Sequence, residues 1–185
     1  MMGLEYVLKY QPNIKHLILD SVPASVQLWT QSIKATLSEL EPAEKDLALE
    51  LDATQQYQDP RLQTIMKKVQ DKHVCRVDPW PEAAQTFFGV IMGNPVVYGA
   101  MLGPSQFDTL GQLKGWSVVG RCKDIKIPTL VIHGEYDWAD QKAVQPLVDE
   151  IENVQQVTVK DGSHMLHVEN TEEFTKQVLK FLNTN

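Results

Sequence analysis

The order of apolar and polar residues divides the chain into three zones, and the first covers residues 1–20. Apolar side chains at helical spacing predict a helix near the start, which Gln11-Pro12-Asn13 ends because proline cannot continue a helix. The short apolar run His16-Leu17-Ile18-Leu19-Asp20 then predicts a buried parallel strand. The predicted order in this zone is therefore helix, then strand, with no strand before the helix.

The second zone, residues 21–122, is predicted to consist of helices and loops. Asp59-Pro60 is typical of a helix start, with aspartate at the N-cap and proline in the first turn. Apolar residues follow at positions i, i+3, i+4 and i+7 and form one helix face. They are Leu62, Ile65, Met66 and Val69. A further helix is predicted from Glu82, after Pro81, to about Met92.

The third zone, residues 123–185, alternates predicted strands and helices. Apolar runs predict strands at residues 129–133 and 156–159, and a helix at about 141–151 lies between them. Asn170 and Glu173 have the spacing of a capping box at the start of a final helix. Strand, helix, strand and helix with short links predict an α/β fold with a parallel sheet.

Composition and charge exclude several classes of protein. The chain has 17 basic and 24 acidic residues, a net charge of −7, which does not favour a nucleic acid or an anionic membrane as partner. Cys75 and Cys122 lie far apart, which excludes a disulfide scaffold or a zinc module. Apolar runs are too short to span a bilayer, and no signal peptide is recognisable. A cytoplasmic protein is the default expectation.

Two residues with catalytic chemistry follow successive predicted strands. Asp137 comes just after one strand and His164 just after the next. Ligands of open parallel sheets bind at the carboxyl ends of the strands, so the two side chains are expected to meet there. An aspartate fixes the tautomer of such a histidine and stabilises its imidazolium. Either residue alone is more often a turn former or a solvated side chain, but the pair in this order favours a catalytic role.

These residues carry a resemblance to a known fold family. His133-Gly134-Glu135-Tyr136-Asp137 and Gly162-Ser163-His164 resemble the last third of an α/β-hydrolase, in which the order is nucleophile, acid, histidine. The middle of the chain resembles the cap of proline iminopeptidases, which are serine aminopeptidases with amino-acid amidases among their relatives. The segments that carry this resemblance are Lys72-His73-Val74-Cys75-Arg76, Asp78-Pro79-Trp80-Pro81, Asn94-Pro95-Val96-Val97-Tyr98, Gly103-Pro104-Ser105-Gln106-Phe107, Gly115-Trp116 and Ile127-Pro128-Thr129.

The resemblance covers essentially the whole chain and implies a partial α/β-hydrolase fold. Residues 1–20 and 123–185 are expected to form an incomplete hydrolase core, and residues 21–122 an inserted helical cap. The opening Leu4-Glu5-Tyr6-Val7-Leu8-Lys9-Tyr10 resembles the helix that follows the family's nucleophile. The sequence contains no G-x-S-x-G motif, which presents that nucleophile in the family. The chain is therefore expected to be the C-terminal part of a longer enzyme, or the product of a shortened gene, and to be inactive alone.

Two further positions are implied to bind substrate. The family has an acidic residue where Gln106 stands and a second acidic residue matching Glu135, and the two hold the substrate's free α-ammonium group. Glu135 keeps its charge, whereas Gln106 is neutral and offers only a carbonyl acceptor. This difference weakens strict recognition of a free amine and leaves room for an amidase or esterase preference.

The implied function is serine hydrolysis of an amide, most simply the release of an N-terminal residue, with proline preferred, from a short peptide or amino-acid amide. In that reaction His164 would take and return the proton of the serine, and Asp137 would orient His164. No metal or cofactor is implied. Two alternatives stay open: a non-catalytic remnant that binds a ligand or partner through its cap, and an esterase or epoxide-type hydrolase of the same fold. The sequence does not indicate an oligomeric state.

The strand at residues 16–20 carries a prediction about association. In the resembling fold it is a central strand, and its second neighbour is the strand that leads into the nucleophile. Without that neighbour it would expose an unpaired edge and apolar surface, which recruit other chains. The chain is therefore expected to be poorly soluble, to bind a hydrophobic dye, or to pair with another chain.

Overall fold

A computed structural model describes residues 1–184, apart from the side chains of Pro12 and Met92. Helices and strands alternate at the two ends of the chain, and helices alone fill its middle. In chain order they are α1 Met2–Tyr10, β1 Leu17–Asp20, α2 Val26–Thr36, α3 Pro42–Ala53, α4 Pro60–His73, α5 Glu82–Gly93, α6 Val96–Met101, β2 Thr129–Gly134, α7 Gln141–Glu150, β3 Val154–Val159, α8 Leu166–Glu169 and α9 Thr171–Thr184. The 3₁₀ turns are Gln11–Asn13, Leu37–Glu39 and Cys122–Asp124.

The three strands form one parallel sheet in the order β1, β2, β3. Every residue of β2 is buried, because β2 has a strand on each side and helices over both faces. Leu17 pairs with Thr129, and Thr129 pairs with Val154. In residues 1–184 no strand pairs with the second edge of β1, so β1 is an edge strand.

Helices cover both faces of the sheet. Val131 points to one face, where α1 and α7 pack, and its neighbours Leu130 and Ile132 point to the other, where α9 packs. This alternation follows from the two-residue repeat of a strand. The arrangement is a three-layer α/β structure, and the predicted fold class is confirmed.

The helical segment between β1 and β2 has an apolar cluster of its own. Its members come mainly from α2, α3 and α4, and Phe107 closes the cluster. Asp59 caps α4 as predicted, since its carboxylate accepts the Arg61 N–H at 2.8 Å. Because this segment buries its own core, we propose that residues 21–122 are the predicted cap.

Two details of the third zone differ from the sequence prediction. The capping box is incomplete: Asn170 Oδ1 accepts the Glu173 N–H at 3.4 Å, but the Glu173 carboxylate binds Lys176 and Gln177. These partners on its own helix hold the carboxylate away from the Asn170 N–H. Strand β3 begins at Val154, two residues before the predicted start at Gln156, because backbone pairing with β2 continues through the polar Gln155 to Val154.

Candidate active site

Asp137 and His164 meet at the carboxyl ends of the strands. Asp137 lies in the turn after β2, residues 135–139, here named the acid loop. His164 lies after β3 in residues 160–165, here named the histidine loop. His164 Nδ1 is 2.9 Å from Asp137 Oδ1, within the hydrogen-bonding reach expected from the strand order.

The surroundings of this pair suit an acid that orients a base. Asp137 is 3% exposed, and its Oδ1 also accepts the Ala139 N–H at 2.7 Å. Burial disfavours the imidazolium of His164, but the charge and the hydrogen bond of Asp137 outweigh burial and raise the pKa of His164, with smaller contributions from Asp20 and Glu169. With Nδ1–H donated to Asp137, Nε2 of the neutral ring carries the lone pair. The His164 side chain is 30% exposed, so Nε2 is accessible as a proton acceptor.

Glycines allow the acid loop and the histidine loop to approach each other closely. Gly134 ends β2 and lies against the backbone of Gly162: an added Cβ on Gly134 would be 2.3 Å from the carbonyl carbon of Gly162. The Tyr136 N–H donates to the Gly162 carbonyl at 2.9 Å. Only a residue without a side chain permits this approach at position 134.

Glu169, on α8, holds the histidine loop in place, a role that the sequence analysis did not predict. Its carboxylate accepts hydrogen bonds from the Ser163 N–H and, at 2.7 Å, from the Ser163 hydroxyl. It also accepts the Arg76 N–H at 2.8 Å, which joins the loop to the segment after α4. The partner at Arg76 is distant in sequence, so no local pattern indicated the contact.

A second carboxylate–imidazole pair lies at the same edge of the sheet. Asp20 ends β1, and its Oδ2 is 3.0 Å from Nδ1 of His167 on α8. The hydrogen bond to Asp20 raises the pKa of His167, while partial burial opposes that rise. Ser21 follows Asp20 with a positive φ of 54°. The sequence analysis did not predict this pair.

The structure does not bring the two predicted substrate-binding residues to one cavity. Glu135 is exposed, and its carboxylate accepts the Asp161 N–H at 3.0 Å; it lines a cavity of about 480 Å³ with Glu39 and His73. Gln106 lines a smaller cavity between α2 and the loop after α6, together with Trp138. The ring of Trp138 lies 5.4 Å from that of His164, whereas the cavity of Glu135 is lined by Asp137.

The described residues hold no group of three histidine, cysteine or acidic side chains placed to bind a metal ion. Cys75 and Cys122 are both buried and free. Between residues 1 and 184, no helix combines the length and the apolar character needed to cross a bilayer.

Comparisons with known proteins agree with the predicted resemblance. No model of a known protein family matches the chain. The proline iminopeptidase of Flavobacterium johnsoniae is 28% identical over 99% of this chain. Among solved structures, a proline iminopeptidase of Mycobacterium smegmatis is 32% identical to this chain, with a TM-score of 0.91. The structure of VinJ is 29% identical, with a TM-score of 0.93. Each of the two matches covers 100% of this chain. The chain spans 62% of the length of each of these relatives. The resemblance to proline iminopeptidases, over the whole chain, and the partial α/β-hydrolase fold are confirmed.

Proposed function

We propose that Asp137 and His164 are the acid and the histidine of a serine-hydrolase site of the prolyl aminopeptidase type. One observation carries the proposal: the 2.9 Å bond between a buried Asp137 and an accessible His164 at the carboxyl ends of β2 and β3. The whole-chain similarity to proline iminopeptidases supports it.

In the proposed reaction, a serine attacks the substrate carbonyl while His164 Nε2 accepts the serine proton. Asp137 stabilises the resulting imidazolium, which then gives the proton to the leaving amine. The raised pKa of His164 matches this stabilisation of the charged ring. The sequence contains no G-x-S-x-G motif, so these 185 residues do not present the nucleophile in the family's manner.

The proposed substrate is a short peptide or an amino-acid amide, with Glu135 and Gln106 directed toward its amine end. Glu135 lines one cavity with Asp137, and Gln106 lines another with Trp138, whose ring lies 5.4 Å from that of His164. A second candidate, an amidase or esterase that does not require a free amine, is favoured by two observations. Gln106 is neutral, and the Glu135 carboxylate is engaged by the Asp161 N–H.

The test joins this chain to the part of the Mycobacterium smegmatis proline iminopeptidase that it does not cover. We expect the fusion to hydrolyse proline 4-nitroanilide and the 185-residue chain alone to be inactive. In the fusion, Asp137→Asn should lower kcat by about 10⁴-fold, by analogy with serine protease triads. Asp149→Asn removes an exposed carboxylate on α7 and should leave kcat unchanged. A folded fusion that is inactive, or one that tolerates Asp137→Asn, would contradict the proposal.

The same fusion separates the two substrate candidates. Gln106→Glu should increase turnover of free-amine substrates relative to N-blocked ones, because a charged acceptor binds an ammonium more strongly than an amide does. Glu135→Gln should decrease that ratio. If neither variant changes the ratio, recognition of the free amine by these residues is wrong and the second candidate is favoured.

A further inference from the structure

Helix α4 ends between the acid loop and the histidine loop. The last carbonyl groups of a helix have no partner within it and need other donors. The carbonyl of His73, the final residue of α4, accepts the Trp138 N–H at 3.3 Å and the His164 N–H at 3.2 Å. The next carbonyl, of Val74, accepts the Met165 N–H at 2.8 Å. One helix end therefore holds both loops through the backbone.

The side chain of His73 adds a contact to the acid loop. Its Nδ1 is 2.7 Å from the Tyr136 carbonyl oxygen, one residue before Asp137, and its Nε2 is 3.1 Å from Glu39 Oε2. A carbonyl oxygen and a carboxylate can only accept hydrogen bonds. The ring therefore satisfies both partners only as an imidazolium, with a proton on each nitrogen.

Acidic side chains predominate in the cavity that His73 lines. Glu39 comes from the turn after α2, and Glu135, Asp137 and Asp140 line the same cavity from the other side. Two cations lie on this side: the Lys72 ammonium is 2.6 Å from Glu39 Oε2, and Lys68, which lines a second cavity with His73, pairs with Glu44. Burial alone would raise the pKa of Glu39, but Lys72 and His73 together lower it, so its carboxylate stays ionised.

We propose that His73 is a positioning residue for the Asp137–His164 pair, an inference that rests on the proposed function of that pair. The ring, oriented by Glu39, fixes the Tyr136 carbonyl and with it the acid loop. The backbone carbonyl fixes the His164 N–H and with it the histidine loop. Without the Glu39 carboxylate, the His73 ring would be held only at its Nδ1 end, by the Tyr136 carbonyl.

The test uses the 185-residue chain with ¹⁵N-labelled histidine and requires no turnover. The Hδ1 resonance of His164, assigned with His164→Gln, reports the bond to Asp137, and the His164 pKa is measured by titration. His73→Phe keeps a ring and the backbone carbonyl but removes both ring hydrogen bonds. We expect the Hδ1 resonance to broaden or disappear and the His164 pKa to fall toward about 6.5, its unperturbed value. Lys67→Gln changes an exposed lysine of α4 that pairs with Asp71 and should preserve the wild-type signal.

A second variant covers the case in which His73→Phe does not fold. Glu39→Gln keeps the His73 ring but replaces its carboxylate partner at Nε2 with a neutral amide, a weaker acceptor, and it should weaken the His164 Hδ1 resonance. If His73→Phe folds and His164 keeps its wild-type Hδ1 resonance and pKa, the inference is overturned. If His73→Phe does not fold, a wild-type His164 Hδ1 resonance in Glu39→Gln overturns it. An inactive fusion enzyme would instead contradict the proposed function, so the two failures are distinguishable.

Discussion

Gly134→Ala tests whether the acid loop and the histidine loop must be in direct contact. The new Cβ would lie 2.3 Å from the Gly162 carbonyl carbon and 2.5 Å from the Ser163 nitrogen. Contacts below 3.0 Å essentially do not occur for a Cβ, and ordinary contact begins at 3.4 Å. To lengthen the 2.3 Å contact to 3.0 Å, the two loops must separate by about 0.7 Å, and to lengthen it to 3.4 Å they must separate by about 1.1 Å.

This separation is large compared with the tolerance of the site. If the loops separate along the line from Asp137 Oδ1 to His164 Nδ1, the distance between these atoms rises from 2.9 Å to about 3.6–4.0 Å. That distance is beyond the usual hydrogen-bond range. Overpacking typically costs about 1–3 kcal/mol of unfolding free energy. The obstructing atoms at Gly162 and Ser163 are backbone atoms that cannot rotate away, so we expect about 3 kcal/mol. For a chain of this length that corresponds to a Tm lower by about 6–12 °C.

Thermal unfolding followed by circular dichroism measures this effect. Gly3→Ala on α1 is the matched control, because no atom lies within 4 Å of its added Cβ and alanine is the better helix former; it should stabilise the chain by about 0.5–1 kcal/mol. Gly162→Ala should lie between the two, since its nearest obstacle is the movable Leu166 Cδ1. A Gly134→Ala chain with the Tm and the His164 Hδ1 resonance of the wild type would refute the reasoning.

Three further predictions concern thiols, pH and exposed apolar surface. Burial, with a smaller contribution from the Glu150 charge, raises the pKa of Cys122 to about 12, and burial also raises the pKa of Cys75, so a maleimide at neutral pH should label neither thiol until the chain is unfolded. Labelling of the native chain would contradict this. The raised pKa of His167 means that its stabilising bond to Asp20 is fully present below about pH 6.5 and is lost as the pH rises through the folded value. His167→Gln should therefore lower the unfolding free energy by about 1 kcal/mol or less near pH 6 and by less still near pH 9. An equal loss of unfolding free energy at the two pH values would contradict a stabilising bond between Asp20 and His167. The exposed face of α5 and α6, where Val97 is 74% exposed, should bind a hydrophobic dye, and Val97→Lys should reduce that binding; unchanged fluorescence would place the dye elsewhere.

Features fixed by neighbouring residues were predictable from the sequence. The apolar run at residues 129–133 became β2, and Asp59 capped the helix that its Asp-Pro pair indicated. The proximity of Asp137 and His164 was also predictable, because parallel strands place their carboxyl ends at one edge. Their roles in catalysis stay a prediction.

Contacts between segments distant in the sequence were not predictable. His73 contacts the Tyr136 carbonyl across 63 positions, and Glu169 contacts Arg76 across 93. A single sequence contains no local signal for such pairs, since the residues become neighbours only when the helical segment between β1 and β2 folds against the sheet. The placement of Gln106 and Glu135 in different cavities has the same origin, because it depends on how α2 packs between them.

The register of β1 against β2 has a consequence for the order of folding. Leu17 pairs with Thr129, 112 positions later, so β1 cannot pair with β2 until the whole helical segment between them exists. At a synthesis rate of about 5–20 residues per second, β1 waits about 6–22 s for its partner. Chain collapse takes microseconds, so the helical segment has time to fold while β1 is still unpaired with β2. That interval is the stage at which a nascent chain is most open to capture by a chaperone or by a neighbouring chain.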